Sequence, residues 1–175
     1  YRRSSEARHE IVGRAGSAPY SMEIASNDVV RVDVWTNIGQ QFAAGNTIPS
    51  LNAWHHVAFS YDASTTIWRI YVDGVVDSSG TFSGSSINST QYFNNALFIG
   101  IETVASLPFN GTIDEVRIYN KALNQTEINE SMNSAYPVVR PVASYRFEEG
   151  SGNVAQDSHI WVKGVSGSAL SVKIR

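Results

Sequence analysis

The sequence predicts an all-β fold, a sandwich of two antiparallel sheets with one short helix. Three observations predict it. Apolar residues recur at every second position through most hydrophobic segments, as strands with one buried face require. Turn residues punctuate those segments at short intervals. No strands alternate with long helices, which sets aside a doubly wound α/β fold. The 175 residues suffice for one such sandwich with a sizeable core.

The elements follow in order. Residues 21–24 are expected as a short strand. Residues 29–35 (VVRVDVW) place Val30, Val32 and Val34 on one face and Arg31, Asp33 and Trp35 on the other. Residues 56–61 set Val57, Phe59 and Tyr61 against His56, Ala58 and Ser60. Residues 68–72 set Trp68, Ile70 and Val72 against Arg69 and Tyr71. A polar turn at 62–66 joins these two strands. Asp73-Gly74 then signals a tight hairpin, because a type I′ turn needs positive φ at both central residues. Residues 78–90 are rich in Ser and Gly and are expected as a loop with at most a short edge strand. Two further strands are expected at 96–101 and 113–119. Asn124-Gln-Thr-Glu127 has the spacing of a capping box, so a helix is expected over 124–132. Pro137 and Pro141 bracket an extended link at 137–142, and strands are expected again at 143–147 and 169–174.

Composition narrows the function. The net charge is −3 and the pI near 5.8, which gives no basic surface for nucleic acid. No apolar run reaches the roughly 18 residues that span a bilayer. There is no cysteine, so disulfides, thiolate metal sites and a cysteine nucleophile are excluded. The start at Tyr1, without Met or a signal segment, is expected for a mature or trimmed piece of a longer protein. Sequons stand at Asn88, Asn110, Asn124 and Asn129 and are compatible with secretion.

Several segments carry a resemblance. WHHVAFSYD at 54–62, IYVDG at 70–74 and FIG at 98–100 occur in one order with FNGTIDEVRIYNKAL at 109–123, which is followed by Glu127-Ile128. This ordered set, over roughly residues 11–132, resembles the laminin-G-like family of concanavalin-A-like lectin domains. The resemblance implies a jelly-roll sandwich, an extracellular or cell-surface location, and a glycan or glycoprotein as partner. YRFEEGSG at 145–152 and GVSGSALSV at 164–172 resemble the segment that opens such a domain, yet here they follow the helix. The expected organisation is a core over 1–136, the link at 137–142, and a displaced front segment at 143–175. That segment completes its own sandwich as a circular permutant would, completes a neighbouring copy by strand exchange, or begins a second module.

Asp114 shares parity with Val116 and Ile118, so a regular strand would turn it toward the core, where a carboxylate needs a partner. The resemblance implies calcium there, with Glu148, Glu149 and Asp157 as further ligands; a turn cap or a pair with Arg117 is the simpler reading. Arg31, Asp33, Trp35, Arg69 and Tyr71 combine aromatic platforms with hydrogen-bonding groups, as sugar sites do, and equally suit a solvated sheet face. Tyr92 and Phe93 are similar candidates. Trp54 and Trp68 are expected in the core. His55 and His56 are strand neighbours facing opposite ways, so they and the separate His9 and His159 are expected to be structural. No catalytic set is present. Asp114 and Glu115 are adjacent in a strand and cannot flank one glycosidic bond, and no Gly-x-Ser-x-Gly motif occurs. The sequence therefore points to a non-catalytic carbohydrate-binding module. The alternative is a structural repeat of an adhesin, surface layer or filament.

Overall fold

The structure, a computed structural model, describes residues 8–14, 20–84, 97–101, 108–148 and 167–175. Among these, two antiparallel sheets face each other. The first runs from edge to edge as β4 (Gly39–Ala44), β3 (Val30–Thr36), β2 (Tyr20–Ile24), β1 (His9–Arg14) and β8 (Leu97–Ile99). The second runs as β10 (Ala143–Tyr145), β9 (Ile113–Tyr119), β11 (Gly167–Ile174), β5 (His55–Asp62), β6 (Ile67–Val72) and β7 (Val75–Thr81). One helix, α1 (Gln125–Asn133), follows β9.

The period-two pattern builds the core. Val30, Val32 and Val34 of β3 meet Met22 and Ile24 of β2 on the inner face, opposite Val57, Phe59 and Tyr61 of β5 and Ile70 and Val72 of β6. Phe82 closes one end, its ring 5.5 Å from Tyr61 and 5.7 Å from Trp68 between centroids. Burying side chains of this size stabilises the fold by about 1.5–3 kcal/mol each, before the entropy of ordering them.

The Asp73-Gly74 turn forms as expected, with φ of 50° and 76°. A Cβ on Gly74 would lie 2.3 Å from Asn129 Oδ1 of α1, so this glycine also lets the helix approach the turn. Asp77 ties the two sheets together. Its carboxylate accepts hydrogen bonds from Asn46 N (2.7 Å), Thr47 N (3.0 Å) and Thr47 Oγ1 (2.6 Å), fixing the segment after β4 onto β7.

Three strands depart from expectation. β1 was not foreseen, because a bulge between Glu10 and Val12 sends both Ile11 and Val12 into the core and breaks the alternation. β4 and β7 are edge strands without an apolar period. They are held by ladder hydrogen bonds to β3 and β6, and β7 starts directly after the turn at Val75.

The outer face of the second sheet is covered by α1. Ala58, Tyr71, Tyr119, Leu123, Ile128 and Ala169 form a second, smaller core there. A buried polar chain runs through it. His56 Nε2 lies 2.7 Å from Ser171 Oγ, Ser171 Oγ lies 3.0 Å from Ser131 Oγ, and Ser131 Oγ lies 2.8 Å from Tyr119 OH. Arg117 donates to Ser131 O and to the Glu115 carboxylate. This chain stitches β5, β11, β9 and the helix together with groups that would be costly to leave unpaired. Asn124 caps the helix: its Oδ1 accepts from Glu127 N at 3.0 Å, and Glu127 Oε2 accepts from Asn124 N at 2.9 Å.

Two predictions follow from these contacts. Burial lowers His56 from its ordinary 6.5 to about 4, with Lys173 and Arg117 adding to the fall. Between those pH values the unfolded chain binds more protons than the folded one. Stability should therefore drop by about 3 kcal/mol as the pH falls from 6.5 through 4, a loss checked by urea titrations and shallower in His56→Gln. Asn124→Ala should cost about 1 kcal/mol in the same measurement at neutral pH.

Candidate functional site

The two outer faces of the sandwich differ. The helix covers one. The outer face of the five-stranded sheet carries polar and aromatic side chains instead, because the residues alternating with the β3 valines point there. Cross-strand register sets Glu10 of β1 beside Glu23 of β2 and Arg31 of β3, and sets Asp33 of β3 beside Phe42 of β4.

Ion pairs order this face. Arg31 Nη2 lies 2.9 Å from Asp33 Oδ1, and Arg31 Nε lies 3.5 Å from Glu23 Oε1. Arg8 Nη1 approaches the same two carboxylates, at 3.4 Å from Glu23 and 3.8 Å from Asp33. Both carboxylates are buried. Burial holds the Glu23 carboxyl above the usual carboxylate range; Arg8 and Arg31 pull it down, and the nearby Asp33 charge pushes it up. The Arg31 guanidinium also sits over the Phe42 ring, 4.8 Å from its centroid, and Phe42 is 65% exposed. A solvent-facing aromatic thus stands beside fixed donors and acceptors, an arrangement able to hold a ring with an apolar face and a hydroxylated edge.

Of the five residues expected to bind ligand, Arg31, Asp33 and Trp35 share this face. Arg69 and Tyr71 lie on β6 of the other sheet, and Tyr71 is buried (1% exposed) beneath α1. The five therefore do not form one site. The separation arises because β3 and β6 belong to different sheets, which alternation within each strand does not reveal. Phe42, Arg8 and Glu23 were missed. Phe42 sits in a strand without periodicity, and Arg8 and Glu23 gain meaning only through cross-strand register. Tyr92 and Phe93 lie outside the described residues.

Asp114 corrects the parity argument. Two steps along β11, from Ser171 to Lys173, face three steps along β9, from Arg117 to Asp114, so β9 is bulged. Glu115 takes φ of 53° there, and Asp114 Oδ1 accepts its N–H at 2.8 Å. Ile113 packs on the core and Asp114 turns to the opposite face, where it caps the bulge. Glu148 pairs with Arg146 at 3.1 Å. Calcium takes six to eight oxygen ligands, and among the described residues no group of three or more His, Asp or Glu could hold a metal ion. The described carboxylates do not by themselves fit calcium; Glu149 and Asp157 lie outside the described residues.

Trp54, expected in the core, is 45% exposed, with the Arg175 guanidinium 5.9 Å from its ring centroid. Trp68 packs against the core. His55 and His56 do face opposite ways. His55 Nε2 lies 2.9 Å from Ser50 Oγ, and its Nδ1 lies 2.8 Å from Asp73 Oδ2, while Asp73 Oδ1 accepts from His56 N at 2.9 Å. This Ser–His–Asp order resembles a nucleophilic triad, yet such a triad relies on a buried carboxylate, and the Asp73 side chain is 51% exposed. Its effect here is to lock the 50–54 segment onto the hairpin. His9 Nδ1 lies 3.0 Å from Pro108 O. Among the sequons, Asn110 is exposed, Asn124 is the helix cap, Asn129 faces Gly74, and Asn88 lies outside the described residues. No helix among the described residues is long and apolar enough to cross a membrane.

Known proteins resemble this chain in sequence or in fold. The chain is 28% identical over 135 residues to Sushi, von Willebrand factor type A, EGF and pentraxin domain-containing protein 1 of Rattus norvegicus, a match over 72% of this chain and 3% of the rat protein. A candidate carbohydrate binding protein from Bacteroides ovatus superposes with a TM-score of 0.71 at 17% identity, over 99% of this chain and 50% of that one. At that identity the likeness shows the fold. The chain thus spans a small fraction of the rat protein and half of the bacterial one. The sequence profile of the Concanavalin A-like lectin/glucanases superfamily matches residues 1–129, and the two-sheet sandwich agrees with it: the chain belongs to that superfamily.

Proposed function

We propose that this chain is a non-catalytic saccharide-binding module of an extracellular or cell-surface protein, with the sugar docking on the outer face of the five-stranded sheet. The observation that carries this reading is the exposed Phe42 ring backed by the Arg31 guanidinium, beside the ordered Asp33 and Glu23 carboxylates. A pyranose offers CH groups on one face and hydroxyls at its rim; Phe42 suits the first, and Asp33, Arg31 and Arg8 suit the second. Membership of the lectin/glucanases superfamily and the fold likeness to the Bacteroides ovatus protein support the same reading. The ion pairs are in place before any sugar arrives, so binding need not order them.

Calorimetric titration of the glycans that bind best in an array tests this. Phe42→Ala should weaken binding about tenfold, and its stability should stay near wild type because the side chain is exposed. The reading places no calcium at this face, so affinity should be equal with calcium and with chelator. An array without binders, or a Phe42→Ala protein of unchanged affinity, would overturn it.

A second reading, assembly by strand exchange, rests on one observation. β11 supplies all eight cross-strand pairs to β5, from Gly167↔Asp62 to Ile174↔His55. The same register is available to β11 of a neighbouring copy. Ser60 and Ala169 are directly paired across these strands, and the chain has no native cysteine. In Ser60→Cys/Ala169→Cys, oxidation should give a disulfide-linked dimer on a non-reducing gel if strands are exchanged. A cross-linked monomer would eliminate exchange.

A further inference from the structure

A second polar site lies on the opposite side of the molecule from the proposed sugar face. After α1 the chain runs through Ala135, Tyr136 and Pro137 to Arg140 and Pro141, then enters the edge strand β10. These residues enclose a small cleft with Ser144 of β10 and with Arg117 of β9 on its wall. The space takes about one water-sized group.

The donors of this cleft are unevenly used. Arg117 is 2% exposed, and its two terminal nitrogens are engaged by Ser131 O and Glu115. Its third donor, Nε–H, is buried and has no acceptor among the described residues. A buried guanidinium donor left unpaired is costly, so an oxygen acceptor is required there. Arg140 is exposed at the rim and holds no ion pair among the described residues. Among the described residues the nearby carboxylates are already committed: Glu115 to Arg117 and Arg146, Glu148 to Arg146, and Glu130 to Val138 N at 2.7 Å. Tyr136 forms the outer wall and is 75% exposed. The Arg146 guanidinium covers one face of its ring, 5.2 Å from the centroid, and leaves the rest to solvent.

We propose that this cleft binds the carboxylate of an acidic sugar: one carboxylate oxygen accepts from Arg117 Nε–H, Arg140 neutralises the charge, and the sugar ring rests on Tyr136. One carboxylate oxygen is about the size of the water-sized space, and guanidinium groups are the preferred partners of carboxylates. The exposed aromatic beside the donors favours a carboxylate carried on a ring over a bare anion. The site is independent of the Phe42 face, so it stands or falls separately.

The Arg117 Nε–H resonance of the full chain, observed in nitrogen–proton correlation spectra, reads the site directly. Sodium glucuronate, sodium acetate and glucose are titrated in turn at constant ionic strength. Glucuronate should shift the resonance in a saturable manner, acetate should do so about tenfold more weakly, and glucose should leave it unmoved. Arg140→Gln should weaken both anions, and Tyr136→Ala should reduce glucuronate to the level of acetate. Both side chains are exposed, so backbone spectra should stay native-like. A resonance unmoved by glucuronate would overturn the site and leave a structural water as the acceptor. An equal shift with glucose would overturn the role of the charge. Equal affinity for acetate would overturn the sugar. Loss of binding in Phe42→Ala would show that the Nε–H shift reports the other face.

Discussion

The six-stranded sheet depends on its last strand. β9 and β5 are not paired with each other; every ladder hydrogen bond that joins β9 and β10 to β5, β6 and β7 passes through β11. The strand alternates to serve both layers. Leu170, Val172 and Ile174 enter the main core, while Ala169 and Ser171 face the helix. A strand paired on both edges and buried on both faces must form a long-range contact late in the sequence, so the fold closes only when residues 167–174 arrive.

That placement also sets the helix. Ser171 links His56 to Ser131, and through it to Tyr119, in the buried polar chain. Helix α1 has little apolar surface, with Ile128 and Ser131 its buried residues. Hydrogen bonds to the sheet therefore supply much of what holds it, together with the reciprocal cap at Asn124 and Glu127. Covering one outer face in this way leaves the other open. On the open face the half-exposed Arg8 and the Arg31 guanidinium hold the buried Asp33 and Glu23 carboxylates, and Phe42 remains exposed, so binding chemistry can collect there.

Local patterns were legible where one physical cause acts alone. The alternations in β3, β5 and β6 reflect burial of one face, the Asp73-Gly74 turn reflects positive φ, and the capping box reflects reciprocal satisfaction of free N–H groups. Patterns failed where a second cause intervened. The bulges in β1 and β9 insert a residue and reverse the facing of what precedes it, which placed Asp114 on the wrong side. Edge strands β4 and β7 need no buried face and so show no period. Trp54 is expected in the core, yet its ring lies near Arg175 with part of its surface in water, since amphipathic aromatics tolerate both settings. Half of the candidate site could be named in advance, because Arg31, Asp33 and Trp35 lie on one strand; Phe42, Glu23 and Arg8 come from other segments.

By itself the sequence determined the class of fold, most strand positions, the helix with its cap, and the superfamily, because these rest on neighbours within a few residues or on motifs in fixed order. The tertiary structure alone decided that Arg31 and Tyr71 lie on different sheets, that Ser50, His55 and Asp73 meet, that Arg117, which lines a cleft, has a donor without an acceptor among the described residues, and that residues 167–174 sit between β5 and β9. The physical reason is common to all four. Each depends on which strands become neighbours, and strand order is chosen by the summed burial and hydrogen bonding of the whole sandwich, a quantity no local pattern contains.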